Sequence, residues 1–338
     1  MNSPFPLGKL PAAVLADLLK SNKLTDSRVL VGPGIGLDCA VLDIGSVYLV
    51  AKTDPITFAT DLIGWYAVHV NANDIACSGA SPRWFLATLL LPEGQADQDL
   101  AEGIFEQIVG ACDSIGASLV GGHTEITYGL DRPLVMGCML GEVDKGSLIT
   151  AGGARPGDAV VVTGGVPIEA TAIIAREKAA ELSDSFEADF LQRCQDFLFN
   201  PGISVVGAAA AAAEAGGISA MHDPTEGGLA TALWELAEAS NCTLHVDMDS
   251  IPILPEGQAL CQALGLDPMA AIASGALLLT TPGDNLAAVR QALADRQIPC
   301  ASIGRVTDAG VPAVTFDGLT GRQPLVRPER DEVAKLFE

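Results

Sequence analysis

Three aspartates in the first quarter of the chain, Asp38, Asp54 and Asp74, stand where short turns meet regular structure. Carboxylates so placed are the usual ligands of a Mg²⁺ ion and of the phosphates it accompanies. Asp38 opens a predicted strand, Ala40 to Leu42. Asp54 closes its hairpin neighbour, Ser46 to Ala51, in the run Lys52-Thr53-Asp54-Pro55. In an antiparallel pair those two positions fall at the same end of the sheet. Asp74 then arrives at the start of a helix in VNANDIACSGASP, Val70 to Pro82, with Asn71 three residues before it on the same helical face. Three unrelated turn aspartates would give the same spacing, so the other polar motifs must decide.

Two such motifs follow. A strand from Ala117 to Val120 ends in GGHTEIT. Gly121 and Gly122 let backbone approach a ligand there, and His123, Thr124 and Glu125 offer polar groups beside it. His123 either caps a loop by hydrogen bonding or serves as a base or weak metal ligand. Further on, HDPTEGG precedes a helix predicted from Leu229 to Ala239. Asp223 and Thr225 stand ahead of that helix, and Gly227 and Gly228 bare its first amides. Such an end binds phosphate or carboxylate, and Thr225 can also act as its N-cap. The Gly32-to-Gly36 loop is neither a P-loop nor a dinucleotide fingerprint.

The elements that must position these groups fall into two sets. Residues 1–150 read as β-β-α-β-α-β, an α+β domain with a four-stranded sheet. The turn-rich run Thr150 to Gly157 is the boundary. Residues 155–338 form a second α/β domain, with strands at 159–163, 242–246, 276–280 and 303–306. Its helices are predicted at 167–180, 184–200, 204–215, 229–239 and 285–296.

Composition narrows the functions. The 338-residue chain has a net charge of -23, so it repels nucleic-acid backbones and anionic membranes, and neither is an expected partner. A free nucleotide is compatible, because backbone amides and divalent cations offset charge locally. No apolar run is long enough to span a membrane and no signal peptide is recognisable, so a soluble, cytoplasmic protein is expected. The eight cysteines are scattered, without a CxxC pair or a zinc-type cluster. They read as reduced thiols, most of them buried, and a metal-dependent hydrolase without nucleotide is disfavoured.

Taken in order, GxGIGLDCAVLD, KTDPIT, VNANDIACSGASP, GGHTEIT and HDPTEGGLATAL resemble the motifs of the AIR-synthase superfamily over nearly the whole chain. That superfamily includes AIR synthetase, thiamine-monophosphate kinase, selenophosphate synthetase, FGAM synthetase and the hydrogenase-maturation dehydratase HypE. The LGKLP opening, VGPGIG and DPTEGG look most like its HypE-like, AIR-synthase-related branch. The resemblance implies an N-terminal domain whose sheet forms a barrel across a homodimer, and ATP bound with Mg²⁺ near that interface. It implies metal- and phosphate-binding roles for Asp38, Asp54, Asp74 and Asp223, with Asn71 orienting the ligand. It also implies that Gly121, Gly122, Thr124 and Glu125 line the nucleotide site. Chemistry of this kind activates an oxygen by phosphoryl transfer and needs positioning more than a protein nucleophile.

The departures bear on the acceptor. The hydrogenase-maturation enzyme carries its substrate on a C-terminal cysteine, whereas the last cysteine here is Cys300 and the sequence closes Ala-Lys-Leu-Phe-Glu338. Thiamine-monophosphate kinases usually show paired aspartates where Leu37-Asp38 stands, and an aspartate at His123. The resemblance therefore implies an ATP-dependent enzyme acting on an unidentified small-molecule or protein-bound acceptor. Two alternatives are a nucleotide-binding accessory protein working through a maturation partner, and a small-molecule enzyme like thiamine-monophosphate kinase or AIR synthetase.

Overall fold

The computed structural model describes residues 5, 8–56 and 61–337, and it divides into two units. The smaller comprises Leu24–Gly32 and Asp38–Leu148. The larger gathers the chain from Ile149 onward with Pro33–Leu37 and the described residues up to Lys23. The division therefore differs from a simple cut at residue 150. Helix α1 (Ala12–Leu19), led in by Pro11, groups with the C-terminal unit.

The smaller unit has six strands: β1 (Val29–Val31), β2 (Ala40–Asp43), β3 (Tyr48–Ile56), β4 (Ser81–Pro92), β5 (Ser118–Thr127) and β6 (Leu134–Val143). They form one sheet in the order β1-β2-β3-β6-β4-β5 rather than the four-stranded sheet expected. The two further strands are the short β1, which pairs with β2, and β6, which lies between β3 and β4; β5 also runs on through GGHTEIT instead of stopping before it. Helices α2 (Ile63–Cys77) and α3 (Gln98–Ile115) complete the unit.

Alternation along β6 sets the layers. Val135, Gly137, Met139, Gly141 and Val143 are buried, while Leu134, Met136, Cys138 and Leu140 are half-buried. Glycine is needed on the buried side for close approach of α2. A Cβ at Gly137 would fall onto the Asn71 amide, and one at Gly141 onto the Ile75 side chain. The stripe Ile104, Ile108, Cys112 is buried on α3. Asp97 caps that helix by accepting the Leu100 amide at 2.9 Å, and Gly116 closes it at φ 71°.

The larger unit holds a seven-stranded sheet. Its strands are β7 (Asp158–Thr163), β8 (Ala220–His222), β9 (Cys242–Val246), β10 (Leu278–Pro282), β11 (Cys300–Ala309), β12 (Ala313–Gly318) and β13 (Gly321–Pro324). The order is β13-β12-β9-β11-β7-β10-β8. Its helices are α4 (Ile168–Glu177), α5 (Ala179–Leu182), α6 (Ala188–Gln195), α7 (Val206–Ala215), α8 (Gly228–Ala239), α9 (Pro255–Leu264) and α10 (Leu286–Asp295). The helix expected over 184–200 is shorter and tightens into a 3-10 turn at Asp196–Leu198. Leu229, Leu233 and Leu236 of α8 pack on Val160, Val162, Leu244 and Leu278 of the sheet. Among the described residues no helix is long and apolar enough to cross a membrane.

Candidate functional site

Helix α2 is the anchor of the site. It is buried all round, with Trp65 alone excepted, so it is enclosed rather than amphipathic. It begins well before the polar run: Asn71 and Asp74 lie in its second half, not at its start. The leading Gly-Trp-Tyr-Ala-Val-His-Val stretch has no polar cap to announce it, and Leu62 caps it in a left-handed conformation at φ 51°. Its polar residues His69, Asn71, Asn73 and Asp74 are each at least 96% buried. Burial holds the His69 imidazole down at about 4, with its ring centroid 4.4 Å from that of Trp65.

Strand β3 also exceeds its expected length. It runs through Lys52, Thr53 and Asp54 to Ile56, so Asp54 lies inside a strand rather than at its close. Pro55 is tolerated because β2 pairs with β3 only as far as Ala51, leaving the later part of β3 bonded to β6 alone. Thr57 of KTDPIT lies outside the described residues.

These two elements bring Asp54 and Asp74 together through a residue that motif reading passed over. The Lys52 ammonium lies 3.1 Å from Asp54 Oδ2 and 3.0 Å from Asp74 Oδ2. The side chains of Lys52 and Asp74 are 13% and 4% exposed, and that of Asp54 34%. Burial opposes the charge on Lys52. The carboxylates of Asp74, Asp54 and, further off, Asp38 outweigh it and hold the ammonium well above the usual lysine range. Asn71 fixes the backbone beneath. Its Oδ1 accepts the Asp54 amide at 2.8 Å, and its Nδ2 donates to the Asp54 and Ala67 carbonyls at 3.3 and 2.8 Å. Asn71 therefore orients Asp54, with its own amide spent on main chain.

The GGHTEIT residues sit elsewhere on the same sheet. Register places Asp54 opposite Gly137, Gly137 opposite Ala87, and Ala87 opposite Gly122, one transverse row over four strands. At ~4.8 Å per strand, Gly122 is roughly 14 Å from Asp54. Gly122 must be glycine, since a Cβ would overlap the Ala87 backbone. His123, Thr124 and Glu125 are exposed on β5, the edge strand, and His123 Nε2 lies 3.2 Å from Glu125 Oε2.

In the larger unit Asp223 is buried directly after β8, and His222 Nε2 lies 3.0 Å from Glu235 Oε2. Arg327 reaches the other oxygen of Glu235 at 3.0 Å and stacks over Trp234. Gly227 is itself the cap of α8, with no side chain capping the helix, so Thr225 is not its N-cap. Thr225 Oγ1 instead accepts from Lys9 at 3.4 Å. The Gly227 amide donates to Asp331 Oδ2 at 2.6 Å, so this helix end is already taken by a carboxyl group of the chain itself. A Cβ at Gly228 would meet the Met269 and Ala271 carbonyls, so this glycine serves close packing. Lys52 opens the KTDPIT motif but carried no assigned role there, and Asp331 belongs to no motif. A lysine two residues before Asp54 on one strand face is the signal that sequence reasoning had available for the first.

The fold and the residues that hold this site define an AIR-synthase-related protein. The family's N-terminal domain matches residues 36–143 and its C-terminal domain residues 155–317, and the chain belongs to that family. Within it the chain is 31% identical to the putative hydrogenase expression/formation protein MJ0676 of Methanocaldococcus jannaschii over 283 residues, 80% of this chain and 79% of that protein. It is 33% identical over 226 residues to the carbamoyl dehydratase HypE of Cupriavidus necator, covering 66% of this chain and 61% of that protein. Among solved structures it resembles the hydrogenase maturation protein HypE in complex with ATP. There the identity is 25% and the TM-score 0.72, over 94% of this chain and 91% of that one.

Proposed function

We propose that this protein is an ATP- and Mg²⁺-dependent enzyme that activates an oxygen of its acceptor by phosphoryl transfer. The observation behind the reading is the Asp54–Lys52–Asp74 constellation, a pair of carboxylates that already accommodates one cation. All-oxygen donors of this kind suit Mg²⁺. Family membership and the likeness to HypE in complex with ATP supply the nucleotide. Asp54, Asp74 and Asp38 would hold the ion, and Asp223 keeps the ligand role that the resemblance gives it. The bound ion would neutralise charge on the transferring phosphoryl group. Asn71 fixes the Asp54 main chain and α2 keeps water from Asp74. Gly121, Gly122, Thr124 and Glu125 would meet the nucleotide along the sheet edge, with His123 beside them as a candidate base. The acceptor oxygen attacks the γ-phosphorus and ADP leaves.

The protein would work as a cytoplasmic homodimer. β5 ends the sheet with Val120 and Ile126 exposed, and the half-buried face of β6 offers Leu134, Met136 and Leu140 for a second copy to cover. Pure protein should release ADP from Mg·ATP once a competent acceptor is supplied, and Asp54→Asn or Asp74→Asn should abolish release. Undiminished release in both variants would remove the site assignment.

A second reading concerns the acceptor. The likeness to a putative hydrogenase expression/formation protein favours an acceptor borne on a partner protein in metalloenzyme maturation. ATP binding without turnover, together with a copurifying partner that starts turnover, is the outcome it expects. Turnover with a free small molecule alone would count against it.

A further inference from the structure

We infer that Lys52 is the resident cation of the nucleotide site, making divalent-metal binding depend on nucleotide. The inference rests on the reading of Asp54 and Asp74 as the ligands of the nucleotide's metal. Lys52 and Asp54 are two residues apart on the α2-facing side of β3, and Asp74 comes from α2 itself. The ammonium lies within 3.1 Å of both carboxylates. With the Lys52 and Asp74 side chains 13% and 4% exposed, little water screens that pair, while Asp54, 34% exposed, keeps its solvent contact.

Two consequences follow from that placement. Without Lys52, the two carboxylates would keep their negative charges close together with the ammonium's charge removed. With Lys52, a divalent ion arriving alone must take carboxylate oxygens that already serve an ammonium, and must approach that ammonium's charge. A polyphosphate removes the conflict. Its oxygens receive Lys52, and the carboxylates are released to the ion. Metal and nucleotide then bind with positive coupling, and the coupling passes through one side chain. A lysine serves this exchange well, being a compact charge on a flexible stem that turns from carboxylate to phosphate without moving the strand.

The test is a Mn²⁺ titration followed by the paramagnetic signal of the free ion, with and without ATP, on wild-type protein, Lys52→Met and Lys52→Arg. Lys52→Met should bind Mn²⁺ in the absence of ATP at least about tenfold more tightly than wild type, since the competing charge is gone. Its ATP-dependent gain in Mn²⁺ affinity should shrink by a similar factor. Lys52→Arg, which keeps the charge, should resemble wild type in the absence of ATP. A lysine that only cements the fold would change stability and leave this coupling factor where it was. Unchanged Mn²⁺ affinity in Lys52→Met overturns the inference, and if that variant does not fold, Lys52→Gln provides the same comparison. Asp74→Asn separates the two levels. If ATP-dependent Mn²⁺ binding survives in Asp74→Asn, the site reading itself fails. If it is lost there while Lys52→Met gains nothing, only the role of Lys52 fails.

Discussion

Asn71 brackets the main chain of Asp54, accepting its amide at 2.8 Å and donating to its carbonyl at 3.3 Å. The bond ties helix α2 to strand β3 at the residue whose carboxylate meets Lys52. Asn71 is wholly buried, so Asn71→Leu, which keeps the branched shape but has no hydrogen-bonding atom, leaves the Asp54 amide without its acceptor in the interior. A loss of about 1–3 kcal/mol is expected for such an orphaned group. Urea unfolding measures it, and a midpoint unchanged from wild type would contradict the bracketing role.

The close approach of α2 to the sheet gives a second expectation. Gly137→Ala places a methyl group on the Asn71 amide and within 2.9 Å of the Phe85 ring, where neither neighbour can retreat. Overpacking of this kind costs about 1–3 kcal/mol. Gly45→Ala, at a turn where an added Cβ meets nothing within 4 Å, has no such clash to relieve and serves as the comparison, with only its positive φ of 108° at stake. Thermal unfolding of both variants checks the ranking, and a larger loss at Gly45 would contradict it.

Much of this was legible in the sequence. The hairpin at Asp43-Ile44-Gly45 was readable from its turn residues, and the apolar spacing of Leu100, Ile104, Ile108 and Cys112 marked α3. Asp38, Asp54 and Asp74 were expected to converge at one sheet end; Asp54 and Asp74 meet around Lys52. Other features were hidden for physical reasons. An enclosed helix such as α2 has no polar face to mark where it begins. β5 was cut short because paired glycines resemble a strand end, although Gly122 is there to lie against the Ala87 carbonyl. The tie from Asp331 to Gly227 joins residues 104 apart in sequence, a contact that local patterns do not reveal.

Two buried acids in the larger unit make stability fall as pH rises. Burial pushes Glu169 from 4.5 up to about 8, with Glu226 and Asp331 adding to the shift and Ser274 opposing it. Burial likewise raises Asp331 from 3.8 to about 7, against the Gly227 and Val333 amides that favour its ionised form. Both folded values lie above the unfolded ones, so the folded chain holds protons that the unfolded chain releases. Their contribution is therefore complete below about pH 4 and is lost as pH climbs through about 7 to 8. The melting temperature should drop over that window, and Glu169→Gln should flatten the drop. An equal drop in Glu169→Gln would show that another group is responsible.

The edge strand gives an expectation about assembly. Ile126 and Val120 of β5 are 61% and 54% exposed, an apolar edge that a lone sheet seldom leaves open. Sedimentation should find a homodimer, and Ile126→Lys should weaken it by about tenfold or more, the effect of placing a charge in an apolar contact. A wild-type protein that sediments as a monomer at micromolar concentration would contradict the dimer.

Calorimetric titration of ATP in the presence of Mg²⁺ reaches the site most directly, because it needs no knowledge of the acceptor. Wild-type protein should bind the nucleotide, and binding should weaken sharply when Mg²⁺ is removed. Asp54→Asn combined with Asp74→Asn should lose the Mg²⁺-dependent part altogether, while Asp43→Asn, a half-buried partner of Lys145 in the same unit, should keep it. Equal Mg²⁺-dependent binding by the Asp54→Asn/Asp74→Asn protein and by wild type would place the nucleotide somewhere other than the carboxylate pair around Lys52.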